Sequence, residues 1–287
     1  MKCAAYLGQA LSFLVASLPT KVQGWLGDII GLLWFDVFRI RRQVAIENVK
    51  LAYPQLSLRE RTKLARDSLR HLGRNLVEFS RFPFYRDEDF SKYFRIAGQE
   101  NLDAAMAKGK GVLFLGLHMG NGDFGLAALS RRGVPISLIS KTMKTKWLND
   151  LWFGMRGKHG TQFISPEKSS FQILRALKAK RVVFFVLDQY MGSPVGTKTK
   201  FFGVETGTAM GLAIIAERSG SPVISGYTFR EEDGRHVIVL EPEVPWQDAS
   251  SENIASMTQI YTDRIESMVR KHPEQWMWIH RRWKKFR

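Results

Sequence analysis

Two side chains in the stretch Gly111 to Gly125 (G-V-L-F-L-G-L-H-M-G-N-G-D-F-G) have the types and spacing for acid–base chemistry, His118 and Asp123. An imidazole titrates near neutral pH, so it takes a proton from a hydroxyl under working conditions. A carboxylate five positions on, across a tight turn, folds back to hold one ring nitrogen as donor and leave the other as base. Two other readings fit the same residues. Gly120-Asn121-Gly122-Asp123-Phe124-Gly125 satisfies G-x-G-x-x-G, the phosphate-cradling turn of dinucleotide-binding folds. A glycine-rich bend with Asp123 as a helix cap and His118 hydrogen-bonded in place does no chemistry at all.

The elements around this stretch must bring it to a ligand. Val112 to Leu117 is a continuous apolar run and reads as a strand buried on both faces, while Phe124 to Leu129 reads as the start of a helix. His118 then stands at the carboxyl end of a strand, where ligands bind in open α/β sheets. Beyond it the pattern alternates. Strands are expected at Val134 to Ser140, Gln162 to Ile164, Val182 to Leu187 (ending on Asp188), Val223 to Phe229 and His236 to Leu240. Helices are expected at Lys146 to Lys158, Ser169 to Ala179, Thr206 to Ser219 and Asn253 to Lys271. Upstream, Ser57 with Glu60 forms a capping box for a helix to about Phe79, then a strand at Phe94 to Ile96 and a helix at Glu100 to Lys108. The fold class is α/β, a mostly parallel sheet flanked by helices.

The dinucleotide reading requires an acidic residue about 20 positions past the glycines for the ribose hydroxyl. Ser140, Lys141 and Lys144 stand there instead, and Asp123 inside the turn repels a pyrophosphate. No G-x-S-x-G elbow supplies a nucleophile for an acyl-enzyme. A His118 base therefore suits direct attack of a bound hydroxyl on an activated acyl group, with backbone N–H groups of Gly120 to Gly122 facing the oxyanion.

At 287 residues and 45% hydrophobic content the chain is globular, not disordered. A net charge of +16 implies anionic partners. The single Cys3 gives neither a disulfide framework nor a zinc site, and the residues call for no metal and no cofactor. Ala4 to Leu18 and Gly24 to Phe38 are apolar, each shorter than the roughly 20 residues of a spanning helix. With Trp25, Trp34, Phe35 and Phe38 beside Arg39, Arg41 and Arg42, residues 1–45 read as a membrane-anchoring or interfacial helical region and 46–287 as the catalytic domain. The tail, where Trp276, Trp278 and Trp283 mix with Arg281, Arg282, Lys284 and Lys285, has the same interfacial character. A single-strand nucleic-acid binder is the non-enzyme alternative for a basic, aromatic chain, but it gives no reason for strands to deliver His118 and Asp188 to one sheet edge.

His118-x-x-x-x-Asp123 is the H-x4-D signature of glycerolipid-type acyltransferases. The chain resembles, over most of its length, the bacterial late acyltransferases of lipid A biosynthesis. The resemblance is carried by Glu47-Asn48 in the basic Arg41 to Pro54 segment, His118-Met119-Gly120-Asn121, Asp188-Gln189, Phe201-Phe202-Gly203, Thr206-Gly207-Thr208-Ala209 and the run His272-Pro273-Glu274-Gln275-Trp276 through Lys284. It implies transfer of a fatty acyl chain from acyl carrier protein to a hydroxyl of a phosphorylated lipid, at the cytoplasmic face of the bacterial inner membrane. It makes His118 the base and Asp123 its orienting carboxylate, and assigns substrate binding to Asn121, Arg156, Asp188 and Gln189. One departure stands out: where the family's usual run is G-N-W-E, this chain has Gly120-Asn121-Gly122-Asp123. A shorter carboxylate and the loss of an indole leave other lysolipid acceptors, an ornithine lipid or a glycolipid, as alternatives.

Overall fold

The computed structural model describes residues 12–166, 169–246 and 253–287; Cys3 and the first part of Ala4 to Leu18 lie outside them. After helical residues 12–17 come α1 (Thr20–Leu32), a π-helical turn (Leu33–Phe38), α2 (Arg42–Ala52), α3 (Leu58–Arg81) and α4 (Asp87–Tyr93). There follow β1 (Phe94–Ala97), α5 (Gln99–Ala107), β2 (Val112–Gly116), α6 (Gly122–Arg131), β3 (Ile136–Ile139), α7 (Lys146–Gly157), β4 (Gln162–Ile164), α8 (Ser169–Lys178) and β5 (Val182–Val186). The last part holds β6 (Gly196–Phe201), β7 (Val204–Ala209), α9 (Gly211–Ser219), β8 (Val223–Arg230), β9 (His236–Glu243) and α10 (Asn253–Lys271).

Seven strands form one sheet in the order β1-β9-β8-β2-β5-β3-β4, parallel at every junction except β8 with β9. In β2, Leu113 and Leu115 enter one core cluster while Val112 and Phe114 enter a second; in β5, Val183 and Phe185 oppose Val182 and Phe184 in the same way. Alternate residues of a strand point to opposite faces, so each run of apolar residues is apolar because both faces are covered. The α/β expectation holds.

α3 starts on the expected capping box, Ser57 accepting from the Glu60 N–H and the Glu60 carboxylate accepting from Ser57. α1 lies against α3 through glycine: a Cβ on Gly27 would fall 2.5 Å from the Arg74 Cα, and one on Gly73 would fall 2.2 Å from the Gly27 carbonyl oxygen. Asp28 on α1 takes Arg70 and Arg74 of α3 at 2.8 and 2.6 Å. The opposite side of α1 and the turn after it leaves Trp25, Val37 and Phe38 largely exposed. No helix among the described residues is long and apolar enough to cross a membrane.

Two expectations fail. Thr206 to Ala209 is not the start of a helix but strand β7, paired antiparallel with β6. The turn between them places Phe202 and Gly203 at φ of 54° and 73°, as a two-residue hairpin turn of this hand requires. Phenylalanine seldom takes that conformation. Here its ring is packed between Tyr53 and Trp278 and its N–H is donated to the Glu266 carboxylate. The second failure is the tail. Trp276, Trp278 and Arg282 are fully buried, so the spacing of tryptophan and cation is core packing and not a membrane belt. Each indole N–H finds an acceptor inside: Asp188 for Trp276, the Pro273 carbonyl for Trp278 and the Phe201 carbonyl for Trp283.

Candidate active site

β2 and β5 are hydrogen-bonded neighbours, and both stop at the same sheet edge. His118 follows β2 and Asp188 follows β5. Asp188 Oδ1 sits 2.8 Å from His118 Nδ1, its Oδ2 accepts the His118 backbone N–H at 2.9 Å, and that same oxygen accepts the Trp276 indole N–H at 2.8 Å. Burial opposes charge on Asp188, but the facing imidazole and these donors outweigh it and hold the carboxyl down at about 2. The imidazole is likewise disfavoured by burial, yet the Asp188 charge and then that of Asp123 raise its pKa above the ordinary 6.5. With Nδ1 committed to Asp188, Nε2 is the nitrogen available to a substrate proton. Gln189 lies 3.5 Å from both ring nitrogens and 3.1 Å from His280 Nε2, so its amide spans the two imidazoles.

The carboxylate on the ring is therefore Asp188 and not Asp123, which corrects the sequence expectation of a fold-back across the turn. Asp123 sits in the first turn of α6 and faces Arg156 of α7, 2.6 Å from its Nε. Arg156 also donates to Ser140 Oγ at 3.2 Å and lies over the rings of Trp152, Phe153 and Phe163. The helix had to begin right after the glycine bend, and that turns the Asp123 side chain across the mouth of the site instead of back toward the ring.

Asn121 is the N-cap of α6. Its Oδ1 accepts the Phe124 N–H at 3.4 Å and its Nδ2 donates to Glu78 at 2.9 Å, so the expected substrate-binding amide is engaged within the protein. Glu78 in turn holds Arg230 by two contacts of 2.8 and 2.6 Å and lies 3.2 Å from His236 Nε2. Burial works against its charge, but Arg230 and then His236 depress its pKa well below 4.5. Arg230 also donates to Asn75, which donates to the Gly120 carbonyl at 2.6 Å. A buried ionic network thus underlies the loop from His118 to Asn121.

The tail closes the other side. Met119 bridges Trp276, Gly120 N–H donates to the Gln275 carbonyl at 3.1 Å, and Met277 N–H donates to the His118 carbonyl at 3.2 Å. Gly120 therefore has no amide to offer an oxyanion. Arg282 donates to the carbonyls of Gln189 and Gly207 and to Thr208 Oγ1, tying the loop after β5 to the β6–β7 hairpin. Sequence reasoning missed Glu78, Asn75, Arg230 and His280 as parts of the site. The signal is faint for Arg230, a charge at the end of buried β8, and for Glu78, a carboxylate among the apolar positions of α3.

His118, Asp123 and Arg156 open into a cavity of about 390 Å³. Asn75 and Ser140 add polar groups, while Phe114, Leu129, Leu138 and Phe184 extend it into the second core cluster. The arrangement suits proton removal from a bound hydroxyl beside an apolar interior.

The chain is similar over most of its length to known acyltransferases. Residues 1–285 match the family described as bacterial lipid A biosynthesis acyltransferase. The chain is 29% identical to the lipid A biosynthesis palmitoleoyltransferase of Escherichia coli (strain K12), covering 97% of this chain and 90% of the relative. It is 26% identical to the lauroyltransferase of the same organism over equal shares, and 26% identical to a phosphatidylinositol mannoside acyltransferase of Mycobacterium tuberculosis over 75% of this chain and 69% of that one.

Proposed function

The chain belongs to the bacterial lipid A biosynthesis acyltransferase family, and from that premise we propose how its residues carry out the transfer. It is an acyltransferase that acts on a lipid acceptor. In our reading the donor is a thioester of acyl carrier protein and the acceptor is a lipid A precursor or a related sugar-bearing lipid. The acceptor hydroxyl donates to His118 Nε2. As its oxygen attacks the thioester carbonyl carbon, the proton passes to Nε2 and Asp188 stabilises the imidazolium through Nδ1. The tetrahedral oxyanion is met by the Arg156 guanidinium and the positive end of α6. The C–S bond then breaks, the new C–O ester bond remains, and the imidazolium returns its proton to the departing thiolate.

The observation that carries this reading is His118, fixed by Asp188, at the mouth of a cavity whose interior is apolar enough for a fatty chain. Asp123 keeps a part in it as the partner that orients Arg156. Acyl transfer from an acyl carrier protein thioester to sugar-headed lysolipids, followed by mass spectrometry, tests it: wild-type enzyme should add one chain and His118→Ala should add none. Wild-type rates in that variant would sink the mechanism.

We place the enzyme at the cytoplasmic face of the inner membrane, with the exposed apolar residues of α1 and its following turn toward the lipid and Arg39, Arg41 and Arg42 toward anionic headgroups. A non-lipid A glycolipid acceptor is the second reading, favoured by the likeness to a phosphatidylinositol mannoside acyltransferase.

A further inference from the structure

The outward face of α7 carries apolar residues where a helix surface in water carries polar ones. Its inward face is accounted for by packing. Trp152 stacks on Phe79 with ring centroids 4.3 Å apart, Phe153 meets Phe163 edge-on at 4.7 Å, and Met155 packs on the second core cluster. Outside, Trp147 and Leu151 stand one turn apart, 58% and 45% exposed. Asp150 beside them is paired with Lys146 at 3.5 Å. A single exposed apolar residue is ordinary, but these two belong to a larger surface. Lys158, just past α7, donates to the Pro83 carbonyl. The next residue, Phe84, is exposed and meets the exposed Phe13 edge-on, ring centroids 5.7 Å apart. Phe13 and the exposed Leu14 lead to α1, whose outer side carries Trp25.

The same helix is a wall of the cavity. Trp152 and Arg156 line it from α7, Leu76 and Phe79 line it from α3, and Leu76 is itself exposed. The loop before α7 adds the exposed Lys141 and Lys144. Resting on the membrane placement and the acyl-transfer reading above, we infer that Trp147 and Leu151 form a second lipid contact. With α1 on one side and α7 on the other, the cavity between α3 and α7 is held against the bilayer, and the lipid acceptor enters sideways from it. Apolar side chains with cations beside them match an anionic lipid surface: indole and leucine sink to headgroup depth while lysines stay with the phosphates. A second copy of the chain fits this face poorly, because a two-fold contact would bring the like charges of Lys141 and Lys144 together.

The test uses the full chain and vesicles of phosphatidylethanolamine and phosphatidylglycerol. With the single Cys3 changed to serine, an environment-sensitive fluorophore on Trp147→Cys should brighten and shift to the blue on vesicles. The same fluorophore on Phe171→Cys should not. Phe171 is 74% exposed but lies on α8, which packs through Ile173 and Leu177 on the other core cluster. Trp147→Glu combined with Leu151→Glu should weaken vesicle binding roughly tenfold or more. It should also lower kcat/KM for a disaccharide-headed lysolipid embedded in vesicles, while kcat/KM for the same lysolipid dispersed in detergent keeps its wild-type value. An unchanged signal at position 147 on protein that sediments with vesicles overturns the inference alone. So does an equal loss on embedded and dispersed acceptor, or a dimer that the double variant dissociates with vesicle binding intact. Wild-type protein that binds no vesicles overturns the membrane placement and this inference with it. Vesicle binding with the signal at position 147 but no acyl transfer overturns the acyl-transfer reading and leaves the lipid contact standing.

Discussion

His118 and Asp188 are register partners. β2 and β5 pair at a constant offset of 70 residues from Val112↔Val182 to Gly116↔Val186, and the imidazole and its carboxylate keep that offset two residues beyond the last pair. The dyad is thus an extension of the parallel ladder. Backbone pairing sets the 2.8 Å contact, and the Asp188 carboxylate completes the ladder by accepting the His118 N–H that no further strand residue takes.

The first prediction concerns pH. In the proposed mechanism His118 must be neutral to act as base, and Asp188 raises its pKa above 6.5, so kcat/KM should rise with pH along a limb centred above 6.5. Asp188→Asn keeps the shape and removes the charge. Its limb should move to lower pH while the rate at the plateau drops roughly 10²–10⁴-fold, the range of general-base contributions. A limb that stays in place in Asp188→Asn would show that another group titrates. The same pair bears on stability with opposite signs. His118, raised on folding, contributes stability below 6.5 that is lost as pH rises through its folded value. Asp188, depressed to about 2, contributes stability above 3.8 that is lost as pH falls toward that value.

Asp123 and Arg156 should behave as one unit. Arg156 is mostly buried over three aromatic rings, and removing Asp123 leaves its charge without its carboxylate. In a double-mutant cycle with Asp123→Ala and Arg156→Met, read as kcat/KM, the coupling should be about 1–3 kcal/mol. Additive losses would mean that the two residues serve separate ends.

Much of the fold is legible because its chemistry is local. The β2 and β5 runs announce themselves by being apolar on both faces, and α3 by its capping box. What was not legible is long-range. Asp123 is five residues from His118 and Asp188 is 70, so sequence proximity favoured the wrong carboxylate; only the strand order β2-β5 reverses that choice. The tail failed for a different reason. Tryptophans mixed with cations describe both a membrane belt and a core whose indoles need acceptors, and composition does not distinguish the two. The β7 strand was hidden because its turn uses Phe202 at positive φ, a residue that gives no turn signal.

The ionic network beneath the loop should matter to folding more than to chemistry. Glu78→Gln leaves Arg230, buried and still charged, without its carboxylate, which should cost roughly 3–5 kcal/mol in chemical denaturation. Replacing the pair together, as Glu78→Leu with Arg230→Met, should cost less than Glu78→Gln alone. The wild-type contribution should fade as pH drops below 4.5 toward the depressed folded value of Glu78, since that carboxyl must be ionised to hold Arg230. A Glu78→Gln enzyme as stable as wild type would remove the network from the account.

Trp276 should act on catalysis only through Asp188. Its indole N–H is donated to the carboxylate oxygen that also accepts the His118 N–H, while its ring packs against Phe201 and Trp278. Trp276→Phe keeps an aromatic ring and removes the donor. A hydrogen bond to a charged group contributes about 1.5–3 kcal/mol, so the variant should unfold at lower temperature and lose activity by roughly tenfold as Asp188 is held less firmly. The cycle with Asp188→Asn separates these effects. If Trp276 works by fixing the charged carboxylate, adding Trp276→Phe to Asp188→Asn should lower kcat/KM little further. The stability loss from the missing ring volume should persist in both backgrounds, because packing is indifferent to the carboxylate's charge. Activity losses that simply multiply would instead give the indole a role of its own at the cavity, and the tail would then belong to the substrate site rather than to its support.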